Sequence, residues 1–257
     1  MVSYSIIDSL YFGFVASIPL LIGSVVAMFV NFPRQIIASI MAFGSGVLIA
    51  ALSFSLMEEA FEQSQSLIAV ILGFLFGGIS YTLANFLLNK RSKGELKKRK
   101  KSHSKLGGGG KEATGLALLV GSVMDNIPEN MALGISLVTG GVVNIVLIAA
   151  IFISNFPEGL ASSSGMLHNG KNRKHILGLW SIAVVAGTVS TAIGFEILSK
   201  ADPSIVSIAI SFAAGAILVM LAESMMPEAY EEGGMKIGIA TMIGFGMAFI
   251  LGKMGGG

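Results

Sequence analysis

Two short stretches set carboxylates, amides and a proline inside runs of apolar residues: Met124-Asp125-Asn126-Ile127-Pro128-Glu129-Asn130 and Ile153-Ser154-Asn155-Phe156-Pro157-Glu158-Gly159. Both carry the skeleton Asn-x-Pro-Glu, with an alanine three residues after the glutamate (Ala132, Ala161). An ionisable group is costly inside an apolar membrane helix, and one placed twice in the same setting marks a functional site. Pro128 and Pro157 lack an N–H, so the carbonyls of Met124 and Ile153 lose their helical partners and the turn opens. Asp125 and Glu129 are four residues apart, Asn126 and Glu129 three, so all three can line one helix face. Ser154, Asn155 and Glu158 repeat that spacing. Two such faces together offer up to three carboxylates plus amide and hydroxyl oxygens, a cage for a divalent cation. Its oxygen-only character leans towards manganese or iron(II), or towards weaker zinc binding than imidazoles give.

The elements that must position these groups are membrane helices. The chain has 257 residues, 53% hydrophobic and 12% charged, with mean hydropathy +0.79, whereas a soluble domain carries about 25% charged residues. Apolar runs near the roughly 20 residues that cross the hydrocarbon core fall at 6–30, 36–57, 67–89, 114–137, 142–166, 176–198, 204–226 and 236–253. The first is long for a signal peptide and lacks a basic leader, so it reads as a span. Backbone groups in lipid must be satisfied internally, so the spans are helices. Asn31-Phe32-Pro33, Thr139-Gly140-Gly141 and Asp202-Pro203 break the chain between spans. Lys90 to Lys111 holds ten Lys/Arg and runs through Gly107 to Gly110, which predicts a flexible basic loop beside the membrane rather than a nucleic-acid site. With the N-terminus outside, fifteen of the seventeen Lys/Arg fall on the inner side. By the positive-inside rule this predicts a multi-pass protein of the cell (plasma or inner) membrane with both termini extracytoplasmic.

No Lys or Arg lies in the interior of a predicted span, yet Asp125, Glu129, Glu158 and Glu223 do. Buried carboxylates need protons or cations as partners, and here these must come from outside the sequence. Glu223 is held as an auxiliary ligand or proton acceptor. Glu58, Glu59 and Glu62 at an outer mouth, and Glu228, Glu231 and Glu232 at an inner one, read as solvated helix ends able to attract cations. His103, His168 and His175 read as solvent-exposed residues of inner loops. With no cysteines, disulfides and thiolate sites are excluded. No nucleophile accompanies the acidic pair, so an enzyme is not expected.

The second and seventh spans match at an offset of 169: Phe43/Phe212, Gly46/Gly215, Ser55/Ser224, Met57/Met226, Glu59/Glu228 and Ala60/Ala229. The third and eighth share Gly73-Phe74 with Gly244-Phe245. Five crossings separate spans two and seven, so they run in opposite directions. The expected fold is all-α, integral to the membrane, with eight helices in a 3+2+3 arrangement. Inverted repeats (helices 1–3 and 6–8) flank helices 4–5, as in secondary transporters. The corresponding divisions are 1–89 (first repeat), 90–112 (basic loop), 113–167 (metal site) and 168–257 (second repeat).

These motifs resemble the ZIP family of divalent-metal transporters over nearly the whole chain except the basic loop. The most specific parts are Asn126-Ile127-Pro128-Glu129 and Asn155-Phe156-Pro157-Glu158-Gly159. The run Ala213-Ala214-Gly215-Ala216 with Glu223-Ser224-Met225-Met226-Pro227-Glu228 is also similar. The resemblance implies a metal site between helices four and five, import of zinc, iron or manganese towards the cytoplasm, and a homodimer. The family's helix-four motif usually opens with histidine and closes with glycine, where this chain has Asp125 and Asn130. Helix five often begins with histidine, here Ser154, and helix six often supplies a glutamate, here Ser190. These departures favour a single site over a binuclear one and move the expectation away from zinc. The expected site is therefore Asp125, Asn126, Glu129, Ser154, Asn155 and Glu158, with Glu223 and Ser190 as auxiliaries. The divalent metal is cargo, and no cofactor is expected. Two other expectations fit the same residues: a metal sensor that binds without transporting, and a proton-coupled carrier of another cation.

Overall fold

The computed structural model describes residues 4–102, 125–138, 143–168 and 170–255, and all of its regular structure is helical. Helix α1 (Ile6–Phe29) opens on a capping box in which Ser5 and Asp8 satisfy each other's backbone N–H groups. Helix α2 begins as Arg34–Ala51, loosens into a π-turn at Leu52–Leu56 and continues as Met57–Ser64. Gln65, in the left-handed region at φ 54, ends it. Helix α3 is Leu67–Ser102, so the first half of the stretch expected to be a loop is helical. Residues 103–124, including His103, Gly107 to Gly110 and the start of the expected fourth span, lie outside the described residues. So does the Thr139-Gly140-Gly141 break. Helix α4 is 125–138 and α5 is Val143–His168. Helix α6 (Arg173–Leu198) is capped by Asn172. Helix α7 starts as Pro203–Met220 behind the Asp202 cap, passes a π-turn at Leu221–Met225 and ends as Met226–Gly233. A short 3₁₀ turn at Gly234–Lys236, entered at φ 63, leads to α8 (Ile237–Gly255).

Six stretches among the described residues are long and apolar enough to cross a membrane. The last, Pro203–Met254, has 52 residues, more than twice the roughly 20 one crossing needs, and is broken by that 3₁₀ turn. Large apolar side chains such as Ile7, Leu72, Phe76, Ile79 and Ile197 are exposed on the outside of the bundle, the pattern of a lipid-facing surface.

Helices α2 and α7 are built alike. Each has 18 residues, a five-residue π-turn and a closing eight-residue helix. Every boundary of one falls 169 positions before that of the other. They lie antiparallel: the last segment of each packs on the first segment of its partner. The Ser207 hydroxyl donates to the Ala60 carbonyl (2.6 Å) at one end, and Arg34 pairs with Glu232 (2.9 Å) at the other. Their outer neighbours also correspond, α8 on α2 and α3 on α7. A Cβ on Gly46 would strike the Thr241 carbonyl, and one on Gly215 the Phe74 carbonyl. A Cβ on Gly244 would strike the Phe43 carbonyl, and one on Gly77 the Phe212 carbonyl. The close contacts thus pair Gly77, not Gly73, with Gly244, one turn from the register the shared Gly-Phe dipeptide predicts. Close backbone approach of this kind is how small residues join membrane helices.

Candidate functional site

Helices α4 and α5 carry the two Asn-x-Pro-Glu turns into the bundle, where α1 and α6 hold them. Asn126, fully buried, donates from Nδ2 to the Ala183 carbonyl of α6 at 2.9 Å. Asn155, also fully buried, donates to the Ala16 carbonyl of α1 at 2.9 Å. The two motif asparagines therefore do the same job, tying a motif helix to a flanking helix. Near Ala16, Pro19 interrupts α1 and removes a rung of its hydrogen-bond ladder.

Their acceptor ends differ. The Asn126 Oδ1 accepts from Asn130 Nδ2, which also reaches the Asn126 carbonyl (2.9 Å). The Asn130 Oδ1 accepts from the Ser17 and Thr191 hydroxyls, both at 3.1 Å. This closed network joins α1, α4 and α6. Room for it comes from Gly187, where a Cβ would collide with the Asn126 and Asn130 amides. On α5 the Asn155 Oδ1 is buried and has no hydrogen-bond partner.

The carboxylates lie on another face of α4. Glu129 is buried and within electrostatic range of Asp125. Asp125 accepts a short hydrogen bond from the Tyr81 hydroxyl of α3 and has Ser224 of the α7 π-turn beside it. Tyr81 in turn lies within electrostatic range of Glu158 and Glu223. Tyr81 thus has Asp125, Glu158 and Glu223 within electrostatic range, and Glu129 joins this neighbourhood only through Asp125. Glu223 itself accepts from Thr82 (2.9 Å) and Asn85 (2.8 Å) on α3 and is exposed.

The remaining expected residues are held elsewhere. Ser154 is buried against Gly44 of α2, and its hydroxyl donates to the Ile151 carbonyl at 3.0 Å. Ser190 donates to Ala186 of its own helix at 2.7 Å. Among the described residues no three His, Asp or Glu side chains stand close enough to hold a metal ion. The expected cage of three carboxylates is therefore not assembled in this conformation. The oxygens along this face of α5 are the Glu158 carboxylate, the unpartnered Asn155 Oδ1 and the Ile153 carbonyl, to which Pro157 cannot donate a helical N–H.

One turn and more beyond Glu158, a cavity of ≈ 450 Å³ opens between α2, α5 and the end of α7. Its lining includes Ala161, Ser164, Gly165 and His168 of α5, with Glu228 and Glu232 of α7. The Arg34–Glu232 pair at its rim is solvent-exposed, so it is worth only about 0–1 kcal/mol and breaks easily. Glu58 and Glu62 are exposed as expected, but Glu59 is not: it is 5% exposed and accepts from Ser136 of α4 at 3.1 Å. Glu58 and Glu62 share a face four residues apart, while Glu59 follows Ser55 and Leu56 onto the buried face.

Tyr81, Asn130, Ser17 and Thr191 are site residues that sequence reasoning missed. A tyrosine deep in a span, needing a partner for its hydroxyl, was a usable signal. The two hydroxyls, distant in sequence and ordinary in type, gave none.

No family model matches the chain. It is 27% identical over 214 residues to a protein of Arabidopsis thaliana named as a putative zinc transporter. The match covers 82% of this chain and 33% of that protein, so the chain spans about a third of the length of the curated relative it matches.

Proposed function

We propose that the protein carries divalent metal cations across the cell membrane, towards the cytoplasm, through a site between α4 and α5. The observation that carries this reading is that Tyr81 has Asp125, Glu158 and Glu223 within electrostatic range, with Glu129 beside Asp125. The motif helices α4 and α5 each carry a proline-opened turn, and a cavity begins at Ala161, three residues past Glu158. The likeness to the Arabidopsis protein, whose name refers to zinc, supports the same class of cargo. The ZIP resemblance of the two motifs supports an arrangement of eight crossings, 3+2+3. The matched, antiparallel build of α2 and α7 supports an inverted repeat.

In this reading Glu129 and Glu158 supply charge and ligand oxygen, and the Asn155 Oδ1 and Ile153 carbonyl complete the sphere as α4 and α5 close on the ion. Asn126 positions α4. Asp125, held by Tyr81, and Glu223 are auxiliary carboxylates that accept protons or pass the ion on. An all-oxygen donor set suits manganese or iron(II), or holds zinc more weakly than imidazole ligands would, so all three metals belong in the test.

The test is uptake of manganese, iron(II), zinc and cadmium into proteoliposomes holding the purified protein. Metal-dependent flux is expected for the wild type and none for Glu129→Gln/Glu158→Gln. Unchanged flux in the double variant would remove the site. Metal binding without flux in the wild type would mark a sensor instead.

A further inference from the structure

Glu59 and Glu228 occupy equivalent places in α2 and α7, each three residues past the end of its π-turn. Because the helices are antiparallel, the two carboxylates lie at opposite ends of the bundle. Their surroundings differ. Glu59 is buried, with its Oε2 against the hydroxyl of fully buried Ser136. Glu228 is exposed and lines the ≈ 450 Å³ cavity.

Each nevertheless lies beside the stretch about seven residues past a motif glutamate, and Glu228 is also within electrostatic range of Asp125. Ser136 lies seven residues past Glu129 on α4, which puts it on the same helix face about 10 Å further along. Gly165, seven residues past Glu158 on α5, lines the cavity that Glu228 faces. The chain thus holds one carboxylate position twice, shut against its motif helix at one end and standing off from it at the other.

We propose that Glu59 and Glu228 are paired gate carboxylates for a divalent cation: the Glu59 end is closed by the Glu59–Ser136 contact, and the Glu228 end is open. When the bundle rearranges, Glu59 leaves Ser136 and lines an outer vestibule equivalent to the cavity at Glu228, which closes. The ion meets one of these carboxylates on entering the α4/α5 site and the other on leaving it. The π-turns, where an extra residue loosens the helix, are the joints that let each closing segment move. This inference rests on the reading of the chain as a metal carrier.

The chain has no cysteines, so single thiols report accessibility cleanly. Ser136→Cys and Ser164→Cys would be made separately and labelled in proteoliposomes with a membrane-impermeant maleimide, with and without manganese. The thiol at 164 should label readily and the one at 136 slowly, from opposite faces of the membrane, and manganese should shift the two rates in opposite directions. Rates that move together, or a thiol at 136 that labels from the same face as 164, would overturn the proposal.

A second measurement separates gating from mere support. Loss of a carboxylate's local field lowers cation entry by about tenfold, so Glu59→Gln should cut initial manganese uptake by about that factor. Equilibrium manganese binding to the detergent-solubilised variant should match the wild type, and Glu59→Asp should restore part of the flux. Equal loss of binding and flux, with no rescue by aspartate, would show a structural residue. Full wild-type flux in Glu59→Gln would also sink the gate. Failure of the wild type to transport any metal would instead remove the underlying carrier reading.

Discussion

The two motif helices share a sequence skeleton and differ in how completely the fold satisfies it. On α4 every amide group of Asn126 and Asn130 is engaged, in a network reaching Ser17, Thr191 and Ala183. On α5 the corresponding Asn155 uses only its donor, and a cavity begins just past the motif. One half of the site is a fixed wall and the other retains unsatisfied acceptor capacity. The proposed carrier role would need such a division: a wholly satisfied cage would bind no ion, and a wholly unsatisfied one would be too costly to bury.

The largest expected effect removes the charge that both halves share. Glu129→Gln/Glu158→Gln should bring metal uptake down to the level of empty liposomes while leaving the elution of the detergent-solubilised protein unchanged. Retained uptake would show that the paired motifs are structural on both helices. Next in size is acidity. Metal and protons compete for the same carboxylates, and a ligand must be deprotonated to bind. Metal affinity measured by equilibrium binding should therefore fall as pH is lowered from neutral, and fall more shallowly in either single Glu→Gln variant. Affinity that rises on acidification would point away from carboxylate ligands.

The division between wall and open half was only partly legible in the sequence. The all-helical, apolar build and the likeness of α2 to α7 could be read because each is carried by local spacing, and the observed boundaries of α2 and α7 keep the 169-residue offset throughout. The roles of the asparagines could not be read. Asn126 and Asn155 look alike in sequence, and only their distant neighbours decide that one acceptor is used and the other left. Asn130 stands where the resembled family has glycine, and its space is provided by Gly187, 57 positions away on α6. Glu59 was read as a solvated end because it sits between Glu58 and Glu62. Its burial depends on α4 lying across it, although Ser55 and Leu56 on the same face were a local hint.

A moderate effect on stability should separate the halves. Asn130→Ala would strip partners from the Ser17 hydroxyl and the Asn126 amide in a buried setting. An orphaned buried polar group costs about 1–3 kcal/mol, so the variant should unfold clearly earlier in a detergent thermal melt. Asn130→Gly should behave similarly, since it too deletes the amide. Wild-type stability in both would mean that water replaces the network and that α4 is no more fixed than α5.

The smallest stability change should come with the more telling functional one. Asn155→Ala removes one hydrogen bond, to Ala16, worth about 1 kcal/mol net. It also deletes an acceptor that is already without a partner, and losing that oxygen costs the folded protein nothing. If the oxygen is a ligand, its loss weakens metal binding severalfold while the melting temperature moves little. Asn126→Ala should do the reverse, lowering the melting temperature while sparing affinity in the protein that remains folded, because its oxygen already serves Asn130. Opposite rankings of the two variants in the two measurements would establish that α5 supplies ligands where α4 supplies position. The same ranking in both would mean that the paired asparagines are equivalent tethers and that the unpartnered oxygen has no part in holding the ion.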